Sequence, residues 1–197
     1  MIHKKGVVHA DLKPSNILLK GRDYDITICD FGISQKLPRG THLANQFIGS
    51  MCYCSPEVLR GEPFNSKTDI WALGCILYEL CCCKRAFEDS TEEGLRSKIL
   101  SYNIPQIPQH SFETRPTLKE VSKLYQLCMR RVQEQRPSVS EILSLPYVVE
   151  AAKKNRVFIG ARKQLVVPEV KSQPEIMIVD EDETIDEIEP SKEIFPR

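Results

Sequence analysis

The chain has 197 residues, 41% hydrophobic and 27% charged, the balance of an ordinary globular domain with an extension. Its 27 basic and 27 acidic residues leave a formal net charge of zero, so the total offers no pull toward nucleic acid or a membrane surface. No apolar run approaches the roughly 18 residues of a spanning helix, and Met1-Ile2-His3-Lys4-Lys5 lacks the apolar centre of a secretory leader. Eight cysteines then read as free thiols in a reducing compartment, cytoplasmic and/or nuclear. Cys52-x-Cys54 and Cys81-Cys82-Cys83 lack the paired spacing and nearby histidines of a zinc site, so buried thiols are expected.

In chain order, Met1 to Lys5 reads as the tail of a helix that Gly6 stops, and Val7-Val8 as a short buried strand. His9-Ala10-Asp11-Leu12-Lys13-Pro14-Ser15-Asn16 follows, placing an acid, a base and an amide in one short loop. Ile17 to Lys20 and Asp25 to Cys29 are apolar, partly β-branched runs around Gly21-Arg22-Asp23, a hairpin by its turn chemistry. It leads to Asp30-Phe31-Gly32, fourteen residues after Asn16. Phosphoryl transfer needs such a set: a carboxylate for a hydroxyl proton, a cation for the moving phosphate, and oxygens for magnesium.

The loop and the Asp-Phe-Gly turn together resemble the catalytic loop and metal-binding turn of the eukaryotic protein kinases. The resemblance implies that Asp11 is the catalytic base and that Lys13 neutralises the transferred phosphate of ATP. It also implies that Asn16 and Asp30 hold magnesium. Ile33 to Ser55, polar and aperiodic, corresponds to the activation segment, closed by Ser55-Pro56-Glu57. Gly49-Ser50 stands where many relatives have Gly-Thr, which makes Ser50 the hydroxyl that bridges the catalytic aspartate and lysine. Asp-Leu-Lys-Pro-Ser-Asn favours serine/threonine over tyrosine specificity.

Asp69 to Leu80 is apolar nearly all round and predicts a helix buried on every side, with Ser66 or Thr68 as its cap. By the resemblance it is the central helix of the large lobe, and Asp69 tethers the catalytic-loop backbone. Thr91–Leu100 and Leu118–Arg130 read as amphipathic helices joined by a connection whose Pro105, Pro108 and Pro116 suit neither helix nor central strand. Ser138 is expected to cap the last helix. Arg136 matches the arginine that pairs with the glutamate of the Pro-Glu motif, here Glu57; taken by itself it would pass for a surface residue.

Lys67 to Cys81, Ala86-Phe87-Glu88 and Arg136-Pro137-Ser138-Val139 are similar to the NIMA-related kinases. The implied fold is mainly α: a kinase-like C-terminal lobe, a helical bundle with a small β-hairpin, over residues 1–149. Neither G-x-G-x-x-G nor a Val-Ala-x-Lys strand occurs, so the N-terminal lobe that cradles ATP is expected to be absent. The implied function is transfer of the ATP γ-phosphate to protein serine or threonine. The alternative is a non-catalytic lobe serving as a binding or scaffold module. Two departures go together: Ala10 replaces the arginine that clasps an activation-segment phosphate, and Gln46 occupies the usual acceptor position, leaving Thr41 as a weaker candidate.

Residues 150–197 shift to a basic then strongly acidic composition with scattered prolines, read as a disordered tail. Within it Ile176-Met177-Ile178-Val179, followed by Asp180-Glu181-Asp182-Glu183, is similar to a SUMO-interacting motif, with Ile176, Ile178 and Val179 as the apolar contacts. Expected partners are therefore protein substrates and SUMO, with no nucleic acid and no membrane.

Overall fold

Apolar runs, caps and prolines along this chain set a series of short elements around one long helix. The computed structural model describes residues 2–21, 25–32, 34–36, 50–109, 111–155 and 157. A 3-10 turn over His3–Lys5 ends at Gly6, whose φ of 73° is left-handed and returns its N–H to the His3 carbonyl. Strand β1 (Val7–Val8) is fully buried and pairs antiparallel with β4 (Gln35–Lys36). Between them β2 (Ile17–Lys20) and β3 (Asp25–Ile28) form the expected hairpin, with Ile17 opposite Ile28 and Leu19 opposite Ile26.

Helix α1 (Pro56–Leu59) precedes the long α2 (Lys67–Cys82); α3 (Glu92–Leu100), α4 (Ser111–Thr114), α5 (Thr117–Cys128), α6 (Val139–Ser144) and α7 (Pro146–Lys154) follow. Helix α5 carries Leu118, Val121, Leu124, Tyr125 and Cys128 on one face, as its spacing predicts, and packs along α2. Side chains at the end of α5 and just after it crowd Gly74, where a Cβ would stand 2.5 Å from Met129 Sδ and 3.0 Å from Cys128 Cβ. Trp71, Cys75, Tyr78, Phe87, Ile99, Tyr125 and Met129 fill the main core, and Ile70, Cys128 and Ile142 a second one.

Four expectations need correction. Neither Ser66 nor Thr68 caps α2: the Ser66 side chain makes no cap bond, the Thr68 hydroxyl meets Ser55 Oγ at 2.6 Å, and Asn65 Oδ1 accepts from Lys67 N–H at 2.8 Å. Nor is α2 buried on every side. Leu73 and Leu77 are half-buried and Leu80 is 72% exposed, because one flank faces an open apolar cavity of about 630 Å³ shared with the β2–β3 hairpin. The proline-rich connection does hold one helical turn, α4, which fits between Pro108 and Pro116 without either ring entering its interior. Finally, α6 is not the last helix. Pro146 takes the first position of α7, where its missing N–H costs nothing, and α7 runs across the boundary expected at 149/150.

Asp69, in the first turn of α2, reaches the backbone of the loop that follows β1.

Candidate active site

The loop leaves β1 at His9, which is completely buried. Its Nδ1 accepts the Asp11 N–H at 3.3 Å, so the proton resides on Nε2, which donates to the Cys29 carbonyl at 3.0 Å. The ring lies 4.9 Å from that of Phe31. One residue thereby joins the loop to the Asp-Phe-Gly turn. Ala10 has a φ of 66°, a left-handed conformation costing an L-residue on the order of 1 kcal/mol. Asp69 holds it there: Oδ2 accepts the His9 N–H and Oδ1 the Ala10 N–H, each at 2.9 Å. His3 Nε2 also meets Oδ2, at 2.7 Å. Asp69 lies in the first turn of α2, where the helix dipole favours a carboxylate.

Asp11 is gripped from three sides. Lys13 Nζ donates to Oδ2 at 2.7 Å, the Ser50 amide to Oδ1 at 3.1 Å, and Asn16 Nδ2 to Oδ2 at 3.3 Å and to the Asp11 carbonyl at 2.8 Å. Lys13 also donates to Ser50 Oγ at 3.0 Å. Ser50 does bridge lysine and aspartate, but it uses its hydroxyl for the first and its amide for the second. Because Asn16 spends its nitrogen on Asp11, its amide oxygen makes no bond among the described residues.

Asp30 is exposed, with φ 60°, and its Oδ1 accepts only a long 3.4 Å bond from the Gly32 N–H among the described residues. The Cys29 N–H donates to the Asn16 carbonyl at 2.9 Å, which fixes the end of β3 to the loop. An open carboxylate and an open amide oxygen on adjoining segments are the hard donors that magnesium takes. The residues present fit that ion.

Glu57 and Arg136 form a bidentate pair at 2.6 and 2.8 Å, both buried. The guanidinium also donates to the carbonyls of Arg130, Lys67 and Arg131, and lies 5.0 Å over the Trp71 ring. Lys67 Nζ donates back to the Arg136 carbonyl. A buried charge pair is tolerable when every donor is used, and here each is.

Several contacts carry no sequence signal. His3 on Asp69 joins residues 66 apart, and neither lies in a motif that names the other. The Tyr53 hydroxyl donates to Glu79 Oε2 at 2.6 Å, and burial and that carboxylate push the phenol's pKa well up. Arg85 Nη1 reaches Cys52 Sγ at 3.8 Å. All eight cysteines are free. Burial pushes the thiols of Cys54 and Cys75 up, and that of Cys128 up to about 12. Thr41 and Gln46, and the tail residues Ile176, Ile178 and Val179, lie outside the described residues.

The Protein kinase domain model matches residues 1–148. Among known proteins, the serine/threonine-protein kinase Nek1 of Mus musculus is 38% identical over 154 residues, 78% of this chain and 12% of the relative. Serine/threonine-protein kinase nekl-2 of Caenorhabditis elegans is 37% identical over 149 residues, 75% of this chain and 40% of the relative. Nek8 of Danio rerio is 40% identical over 144 residues, 73% of this chain and 20% of the relative. The chain thus spans only 12–40% of the length of these relatives.

Proposed function

Because this chain belongs to the protein kinase family, we propose that it is the large lobe of a magnesium- and ATP-dependent serine/threonine protein kinase. The observation that carries the reading is the interlock of Asp11, Lys13, Asn16 and Ser50, four side chains fixed on one another over 2.7–3.3 Å. Magnesium-ATP, when bound, supplies the γ-phosphoryl group and the cation that balances its charge. Asn16 and Asp30 would hold the metal through their oxygens. The Asp11 carboxylate takes the proton from the hydroxyl of a substrate serine or threonine. Lys13, fixed between Asp11 and Ser50, offsets the negative charge that develops beside it. Glu57, Arg136 and Asp69 keep the loop and the end of the activation segment in place.

The 197 residues contain no G-x-G-x-x-G, so weak ATP binding and negligible turnover are expected of them alone. The test is phosphorylation of a generic serine/threonine substrate by this chain carrying the preceding portion of a Nek relative. Asp11→Asn should lower turnover by roughly 10²–10⁴, the usual worth of a positioned base. A change within about twofold would show that Asp11 is not the base. With Ala10 and Gln46 in place of clamp and acceptor, phosphatase treatment should leave that activity intact.

The scaffold reading is favoured by one observation, the open apolar flank of α2 at Leu73, Leu77 and Leu80. Substrate-independent capture of a partner by that flank, with no turnover in any version, would select it. Eight free thiols support a cytoplasmic and/or nuclear location. For the tail we propose SUMO as a partner of Ile176, Ile178 and Val179. Micromolar binding of a peptide spanning Glu175 to Glu183, abolished by Ile178→Ala with Val179→Ala, is the expected result. No shift of SUMO edge-strand amides would retire it.

A further inference from the structure

Where α2 ends, the chain turns through Lys84, Arg85, Ala86 and Phe87 and encloses a second cavity, of about 310 Å³. Unlike the apolar flank, this one is lined by charge: Lys84, Arg85 and Lys98 against Glu88, with the Asn103 amide beside them. Lys98 is already matched. Its Nζ pairs with Asp89 at 2.9 Å and donates to the Glu88 carbonyl at 2.6 Å. Lys84 and Arg85 then stand against Glu88 alone, which leaves a surplus of one positive charge. Both are exposed, and neither has a carboxylate within salt-bridge distance among the described residues.

The position of this surplus is the informative part. Arg85 touches Cys52, the second residue of the 3-10 turn Met51–Tyr53, which starts directly after Ser50. Ser50 bonds both Asp11 and Lys13. Tyr53, through its bond to Glu79, pins that turn to α2 and so fixes Cys52 toward Arg85. A peptide that presented its hydroxyl to Asp11 and followed the turn from Ser50 to Cys52 would reach the Lys84–Arg85 corner. A planar guanidinium with an ammonium beside it suits an anionic group, which the guanidinium can take in two parallel bonds.

We propose that this cavity is a specificity site for a negatively charged residue on the peptide substrate. Its role as a substrate site rests on the kinase reading above. The chemistry it takes is an anionic side chain, whether the carboxylate of glutamate or aspartate or the phosphate of a phosphorylated residue. Glu88, which also lines the cavity, makes a basic residue tolerable only if Lys84 and Arg85 are removed.

The test is peptide binding by the 197-residue chain, read by fluorescence anisotropy without ATP. Four serine-containing peptides differ at one scanned position, carrying glutamate, phosphoserine, glutamine or lysine. The anionic peptides should bind about three- to tenfold more tightly than the glutamine peptide, the worth of two exposed charge pairs, with less advantage at high ionic strength. Lys84→Glu with Arg85→Glu should reverse the order in favour of the lysine peptide. Alkylation of Cys52 by iodoacetamide, followed by mass spectrometry, should slow with the glutamate peptide and not with the glutamine one. Phosphoserine binding without glutamate binding would narrow the ligand to phosphate. Equal affinity for glutamate and glutamine with no phosphoserine preference, an order that survives the charge reversal, or Cys52 left unprotected by every anionic peptide would overturn the proposal. None of these readouts needs turnover, so the absence of phosphorylation in every version would refute the kinase reading and leave this result legible.

Discussion

Two regions of the molecule use charged side chains in opposite ways. Beneath the loop, Glu57, Asp69 and Arg136 are almost completely buried, and each makes several bonds. At the rim, Lys13 and Asp11 are partly open, and Asp30 is exposed with one long bond among the described residues. The lower set fixes backbone; the upper set leaves oxygens and an ammonium available for something else. Charge that is fully satisfied builds, and charge left partly unsatisfied is free to react.

The largest expected effect tests the lower region. Arg136→Met would strand the Glu57 carboxylate in a buried site, at about 3–5 kcal/mol of stability, measurable as a lower midpoint in urea. A loss under about 1 kcal/mol would place the pair with ordinary surface salt bridges and erase the contrast. Gly74→Ala comes next. Its methyl would meet Met129 and Cys128 at 2.5 and 3.0 Å, and overpacking of this kind costs about 1–3 kcal/mol. A neutral outcome would mean that the flexible Met129 side chain swings aside.

Ser138→Ala removes one half of a reciprocal cap, in which Ser138 Oγ accepts the Glu141 N–H and Glu141 accepts the Ser138 N–H. About 1 kcal/mol is expected from thermal unfolding. At the rim, Asp11→Asn should move stability by less than about 1 kcal/mol, since its partners are reached by water once it is neutral. A larger loss would put Asp11 among the building residues. The smallest effect is the acid titration of Asp89. The Lys98 bond and the Thr91 N–H hold its pKa at about 2, below its ordinary 3.8. Its favourable contribution is present above the ordinary value and disappears as pH falls through about 2, visible in its carboxyl carbon shift by NMR.

Much of the lower region was legible because its partners sit inside spaced motifs. Glu57 follows a proline, Arg136 precedes one, and Asp69 opens an apolar run that can only be a core helix. The β2–β3 hairpin was equally open to reading from its turn and its β-branched runs. What could not be read depends on distances between residues with no motif in common. Cys52 and Arg85, 33 residues apart, meet where Tyr53 anchors the turn that carries Cys52 on Glu79. Thr68 looked like a cap, but its hydroxyl is drawn off by buried Ser55. Pro146 opens a helix that the sequence reading did not include, since a proline breaks a helix anywhere except its first turn. The exposure of Leu80 depends on what packs against α2, which a helical pattern cannot specify.

The β2–β3 hairpin has a mechanical consequence of its own. Ile17, Leu18 and Leu19 are consecutive, and Leu18 and Leu19 are 51% and 63% exposed on opposite faces. A strand normally keeps its register because slipping by one residue would turn its apolar face to water. Here Ile17, Leu19, Ile26 and Ile28 share the face toward the cavity beside α2, and within β2 a slip would only exchange one leucine for another there. The pairing is instead locked at its end, by the Cys29 N–H on the Asn16 carbonyl and by the His9 ring on the Cys29 carbonyl. A slip would carry Asp30 about 3.3 Å along the strand from Asn16. His9 is therefore the clutch of a ratchet, holding the Asn16 amide and the Asp30 carboxylate in step.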